Sequence, residues 1–182
     1  MRNFSFPAGL ACLVFTCGIA VAPVAKAATV NQYSVMTGGN CQLSIPTTDT
    51  KFRPKATGAR NESTTTSSFV ICPFSISPSP SSASAVIFFY ATFYSLDGNA
   101  HNNVSCTAVT GIQTLGLPPV YSTQVVNIPA TGAATIQWQG SQFGGTDGTP
   151  IAGSANLSVT CNLPPQTGID TLVTNYNQEI GT

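Results

Sequence analysis

Leu157-Ser158-Val159-Thr160-Cys161-Asn162-Leu163 puts an apolar side chain at every second position. That is the period of a β-strand with one face buried and the other wet. Cys161 falls on the apolar side. The same alternation recurs upstream. Cys41, Leu43 and Ile45 alternate with Gln42 and Ser44, and Val104, Cys106 and Ala108 with Ser105 and Thr107. Ala134, Ile136 and Trp138 alternate with Thr135, Gln137 and Gln139.

Further strand signals are a β-rich run over 67–74, Val126 and Ile128 before Pro129, and a terminal run over 172–178. Residues 86–96 are apolar on both faces, which predicts a central strand closed by the turn Asp97-Gly98-Asn99. Glycine, proline, asparagine and aspartate punctuate these runs, and no sustained helical spacing follows residue 28. The chain reads as an all-β, antiparallel β-sandwich of eight or so strands, immunoglobulin-like or jelly-roll-like. The immunoglobulin spacing is not met: Trp138 lies too far beyond Cys106, and Val159 stands where that fold places a tyrosine.

Residues 1–27 read as a secretory signal peptide with a helical apolar core. Arg2 supplies the positive start, residues 8–24 are uncharged and mostly apolar, and Ala25-Lys26-Ala27 has the small-x-small form of a cleavage site. Residues 28–182 then form a single β-sandwich domain, secreted or periplasmic, with no stable membrane insertion after cleavage. Cys12 and Cys17 leave with the signal. Cys41, Cys72, Cys106 and Cys161 remain, an even set in an oxidising compartment, and so read as disulfides. Of the three connectivities open to four cysteines we favour Cys41–Cys72 and Cys106–Cys161. Cys-x-x-Cys spacing is absent, which argues against a redox pair.

Without Arg2 and Lys26, four basic residues face six acidic ones, a formal net charge of −2. Charged residues are only 7% of the whole chain, where about 25% is usual. So neutral a surface argues against nucleic acid as a partner. His101, the one histidine, lies in a polar turn with no nucleophile motif, and the carboxylates are dispersed among turns. Turn chemistry accounts for Asp97-Gly98-Asn99 and Asp147-Gly148-Thr149 better than a calcium loop does. No catalytic residue, metal site or cofactor is expected.

The candidate ligand-binding residues are Lys51, Arg53, Lys55, Arg60 and Trp138. The first three are spaced to share one face of an extended segment, suited to an anionic sugar or a lipopolysaccharide phosphate. Pro54, Gly58 and the nearby threonines favour a solvated loop. Trp138, followed by Gly140 and by Phe143-Gly144-Gly145, suggests a sugar-stacking platform, whereas its alternation with Ile136 turns it toward the core. Tyr121 is a further aromatic candidate. Asn61-Glu62-Ser63, Asn103-Val104-Ser105 and Asn156-Leu157-Ser158 fit glycosylation acceptors, as chance alone produces in a chain rich in serine and threonine.

Ser68-Phe69-Val70-Ile71-Cys72-Pro73, Val104-Ser105-Cys106-Thr107, the stretch from Leu157 to Pro165 and the run 169–176 together resemble a family of small exported proteobacterial proteins that contain disulfides and have no assigned activity. Members carry Val-x-Cys-Pro, Cys-Thr and Cys-x-Leu-Pro-Pro stretches. Their frequent Tyr-Asp-Arg-Asn-Pro is replaced here by Tyr94-Ser95-Leu96-Asp97-Gly98-Asn99. The resemblance implies a Gram-negative exported disulfide domain and supplies no activity. The expected role is non-enzymatic, structural or binding, in the periplasm or cell envelope, with an envelope glycan or another protein as partner. A carbohydrate-binding or adhesin-like module is the alternative, and a secreted hydrolase the least favoured.

Overall fold

The computed structural model describes residues 28–45, 51–76, 85–112, 116–154 and 156–180. Residues 1–27, read above as a signal peptide, Asp49 and residues 77–84, expected as an inter-strand connection, lie outside the described residues. Eleven strands run through the rest: β1 Ala28–Thr37, β2 Gln42–Leu43, β3 Phe52–Lys55, β4 Gly58–Asn61, β5 Ser68–Pro73, β6 Ala85–Ser95, β7 His101–Ile112, β8 Leu117–Ile128, β9 Ala133–Gln139, β10 Ser158–Leu163 and β11 Thr167–Ile180. Among the described residues helix is limited to short 3-10 turns, and none is long and apolar enough to cross a membrane.

Two antiparallel sheets face each other. One runs β3-β4-β11-β6-β9, with β1 also paired to β11, and the other β2-β5-β10-β7-β8. β4 pairs with β11, β5 with β10, β6 with β9 and β7 with β8. The chain is therefore one long antiparallel ribbon with its tip at β7–β8, rolled so that β11 also meets β6 and β10 also meets β7. That is the jelly-roll arrangement, not the immunoglobulin one.

Alternation sets what lies between the sheets. Phe89, Ala91 and Phe93 of β6 point inward, as do Ile136 and Trp138 of β9 and Val104, Cys106 and Ala108 of β7. Trp138 is fully buried, stacked on Phe89 at 5.2 Å between ring centroids. Its indole Nε1 donates to the Ser122 carbonyl of β8 at 3.2 Å, so one side chain fills the core and ties the two sheets. Burying a ring of that size contributes about 3 kcal/mol. Trp138 therefore has no face to offer a sugar, and its place among the ligand-binding candidates is corrected to a core role.

Cys41 is bonded to Cys72 and Cys106 to Cys161, as favoured above. Cys106 and Cys161 are direct cross-strand partners on β7 and β10. Gln42 pairs with Ile71, which sets the preceding Cys41 beside Cys72 on the edge pair β2–β5. Both bridges thus lie within the five-stranded sheet, on its inner face, and neither joins the two sheets.

The segment 51–60, expected as a solvated loop, is a β-hairpin at the edge of the six-stranded sheet. Phe52 and Ala59 are buried and anchor it. Pro54 is tolerated because β3 is an edge strand and needs no outward N–H there. Likewise β8 starts at Leu117, through Pro118 and Pro119, well before the expected Val126, because it too is an edge strand. Asn61, a formal glycosylation acceptor, is completely buried. Its side chain bonds the backbone of two segments, at Ser63 and Thr66 and at Leu163 and Pro164, so it is not available for modification.

Candidate functional site

One cross-sheet row builds the site. Arg53 of β3 pairs with Arg60 of β4, Arg60 with Gly168 of β11, Gly168 with Tyr94 of β6, and Tyr94 with Ala133 of β9. On β6 Phe89, Ala91 and Phe93 alternate into the core, so Tyr94 and its row point to the outer face. Gly168 leaves a gap in that row. A Cβ there would meet the Tyr94 ring at 2.6 Å, so the ring lies over the glycine backbone. This lets the Tyr94 hydroxyl accept from Arg60 Nε at 3.2 Å, while Arg60 Nη2 donates to Thr57 Oγ1 at 3.4 Å.

A β-bulge supplies the acid. Ile169 pairs with Phe93 and Thr171 with Thr92, which leaves Asp170 as the extra residue, exposed on the outer side. Bulges re-aim side chains in this way. At the same point the flank of β11 changes partner, from β4 at Ile169 to β1 at Thr171. Gly58, at φ +130°, sits against the Ile169 carbonyl there, where no side chain fits. Thr57, Arg60, Tyr94, Ala133 and Asp170 line the resulting groove, with a volume of ≈ 320 Å³. A guanidinium, a carboxylate, a hydroxyl and an aromatic ring thus converge on one concavity, the arrangement expected where a small ligand is held and oriented.

The outer face continues away from the groove in ordered rows. Thr37, Thr171, Thr92 and Thr135 form the next one, from β1 across to β9. Val35, Val173, Tyr90 and Gln137 follow, then Tyr33, Asn175, Phe88 and Gln139. Phe88 and Tyr90 stack with centroids 6.4 Å apart, and Tyr33 meets Phe88 edge-on at 6.2 Å. From the Tyr94 row to the Phe88 row is about 20 Å, at about 3.3 Å per residue. The face therefore carries hydroxyl, amide and aromatic groups over an extended length.

Of the residues expected to bind a ligand, Lys51, Arg53, Lys55 and Arg60 are brought together by the hairpin, and only Arg60 lines the groove. Lys55 Nζ lies 3.7 Å from Glu62 Oε1, and Arg53 Nη1 donates to the Phe52 carbonyl. Tyr121 stands exposed on β8, in the other sheet, and is not part of this face. Tyr94, Asp170 and Thr57 gave no signal in the sequence. Their role depends on the register of β4, β11 and β6, which joins residues far apart along the chain.

His101 Nε2 and Asp97 Oδ1 are 2.9 Å apart in the β6–β7 turn, where Oδ1 also accepts from Ser95 Oγ and Asn99 N. Asn99, through side chain and backbone, and then His101 hold the Asp97 carboxyl well below the usual carboxylate range. Ser141 lowers Asp147 in the same manner. These are turn-forming bonds, and among the described residues no three His, Cys, Asp or Glu side chains group as metal ligands. The folded Asp97 binds its proton more weakly than the unfolded one. Its contribution to stability is thus present above the unfolded value of about 3.9 and is lost as pH falls toward the folded value. Asp97→Asn is expected to melt below the wild type at pH 7, with the gap closing below about pH 4. A gap unchanged from pH 7 to pH 2 in thermal melts contradicts this assignment.

No protein-family model and no curated protein matches the chain. Among solved structures, a family 11 carbohydrate-binding module from Clostridium thermocellum, in complex with a β-1,3-1,4-mixed-linked tetrasaccharide, is similar at TM-score 0.34 and 16% identity, over 82% of this chain and 89% of that one. A solution structure of CtCBM11 is similar at TM-score 0.30 and 15% identity, over 82% and 88%. Similarity at this level says nothing about a ligand.

Proposed function

We propose that this chain is an exported, non-enzymatic glycan-binding protein that holds an extended sugar chain along the outer face of its six-stranded sheet. One observation carries the reading: Tyr94 is laid over Gly168 and hydrogen-bonded to Arg60 in a groove that Asp170 also lines. A pyranose presents an apolar C–H face and a rim of hydroxyls. An aromatic ring meets the first, and paired charged donors and acceptors meet the second. The threonine row and the Tyr90 and Phe88 rows continue the same chemistry for further sugar units. Export rests on the leader-like residues 1–27 and on two disulfides, which persist in oxidising compartments.

A glycan array followed by calorimetry tests the reading. The wild type is expected to bind at least one oligosaccharide. Tyr94→Ala is expected to weaken binding about tenfold or more, a loss of about 1.4 kcal/mol, with its melting temperature little changed. Tyr121→Ala, on the other sheet, serves as the control and keeps full affinity. An array with no signal, or a Tyr94→Ala variant that binds like wild type, overturns the proposal.

A further inference from the structure

Lys51, Arg53, Lys55 and Arg60 are the cations among the described residues, and all lie on or next to the β3–β4 hairpin. Lys51, Arg53 and Lys55 are exposed at alternate positions and share a face. Arg53 stands directly across from Arg60 on that face. In a chain with 7% charged residues, this concentration of cations on one hairpin is a departure that points to function. Glu62 lies against Lys55 and Asp170 lines the groove, while Asp97 and Asp147 are engaged in turns elsewhere. The cations are therefore gathered beside the groove that Arg60 lines.

The guanidinium of Arg60 is already oriented. Its bonds to Tyr94 and Thr57 fix the plane without using all five of its donors. A planar fork of this kind matches a carboxylate with two parallel bonds. Asp170, across the same groove, sets the limit on charge. It accepts bonds from sugar hydroxyls and repels a dianion about twice as strongly as a monoanion, since the interaction scales with charge. From these constraints we infer that the groove selects an acidic sugar, a uronic acid residue within a polysaccharide. The sugar carboxylate meets Arg60, its hydroxyls meet Asp170 and Thr57, and its apolar face rests on Tyr94. The inference rests on the glycan-binding reading and adds the ligand class.

Calorimetry with tetrasaccharides of galacturonic, glucuronic, mannuronic and guluronic acid, each also as its neutral methyl ester, tests it. Glucose 6-phosphate is included as a dianionic sugar. At 50 mM salt the protein is expected to bind at least one acid about tenfold tighter than its ester, the scale of a charge-assisted bidentate pair. Raising the salt should narrow that ratio. Arg60→Gln should bring acid and ester to equal affinity while the ester still binds, which a merely misfolded variant does not do. Acid and ester bound equally by the wild type, an unchanged ratio in Arg60→Gln, or tighter binding of glucose 6-phosphate each overturn the acidic-sugar inference. Ester binding without preference leaves the glycan reading standing. Absence of binding to every sugar removes both.

Discussion

Asn61→Asp is expected to destabilise the fold by about 3–5 kcal/mol, because it exchanges a buried donor for a buried, unpaired charge. Asn61 is fully buried at the end of β4. Its Nδ2 donates to the carbonyls of Thr66 at 2.9 Å, Leu163 at 3.0 Å and Pro164 at 3.0 Å, while Oδ1 accepts from the Ser63 amide at 3.1 Å. Aspartate has the same shape and keeps the bond from Ser63. It then turns a second acceptor toward three carbonyl oxygens. The melting temperature should fall by roughly 6–20 °C, at about 2–4 °C per kcal/mol for a chain of this size. A melt within about 2 °C of wild type would sink the assignment of Asn61 as the bond that ties β4 to the β10–β11 corner. Because Arg60 precedes it, the variant should also weaken sugar binding more than its melting temperature alone accounts for.

Removing the central bridge should cost a similar amount. Cys106→Ala with Cys161→Ala opens a loop spanning a sequence separation of 55, which chain entropy values at about 4 kcal/mol. The outer bridge, Cys41–Cys72, spans 31, and the logarithmic dependence on length makes it worth about 0.5 kcal/mol less. Position adds to the contrast. Cys106 and Cys161 join β7 to β10 in the middle of the five-stranded sheet, whereas Cys41 and Cys72 tie its edge. Urea unfolding of the two double variants should therefore place the central one at the lower midpoint. The opposite order, or a central variant that unfolds with wild type, contradicts this ranking.

Much of the sheet was legible because burial on one face leaves a period of two in the chain. β9, β10 and the middle of β7 follow that alternation closely, β6 showed itself as an internal strand by being apolar on both faces, and the cysteine pairing is the one favoured. The misses have a common cause. β3 and the start of β8 contain prolines, which read as loop until the strand is known to be an edge. β1 has no buried residue, so its pattern carries little contrast. Trp138 posed the sharpest choice, platform or core, and the alternation with Ile136 was the better guide.

The site divides along the same line. The basic cluster was visible because Lys51, Arg53, Lys55 and Arg60 are close in sequence, and i, i+2, i+4 spacing survives in any extended segment. Tyr94, Gly168 and Asp170 were not visible. Tyr94 belonged to an apolar run, Gly168 to a turn-like stretch, and Asp170 to a dispersed set of acids.

The sequence by itself determined an all-β chain, an even set of four cysteines on the apolar sides of its strands and the gathering of its cations on one short segment. These follow from local periodicity and from spacing along the chain, which folding preserves. Only the tertiary structure decided that the ribbon rolls into a jelly roll and that Arg60, Gly168 and Tyr94 fall in one row. It also decided that a bulge lifts Asp170 beside them. Those outcomes depend on strand register and partner choice, set by the packing of residues about a hundred positions apart, and no local pattern encodes them.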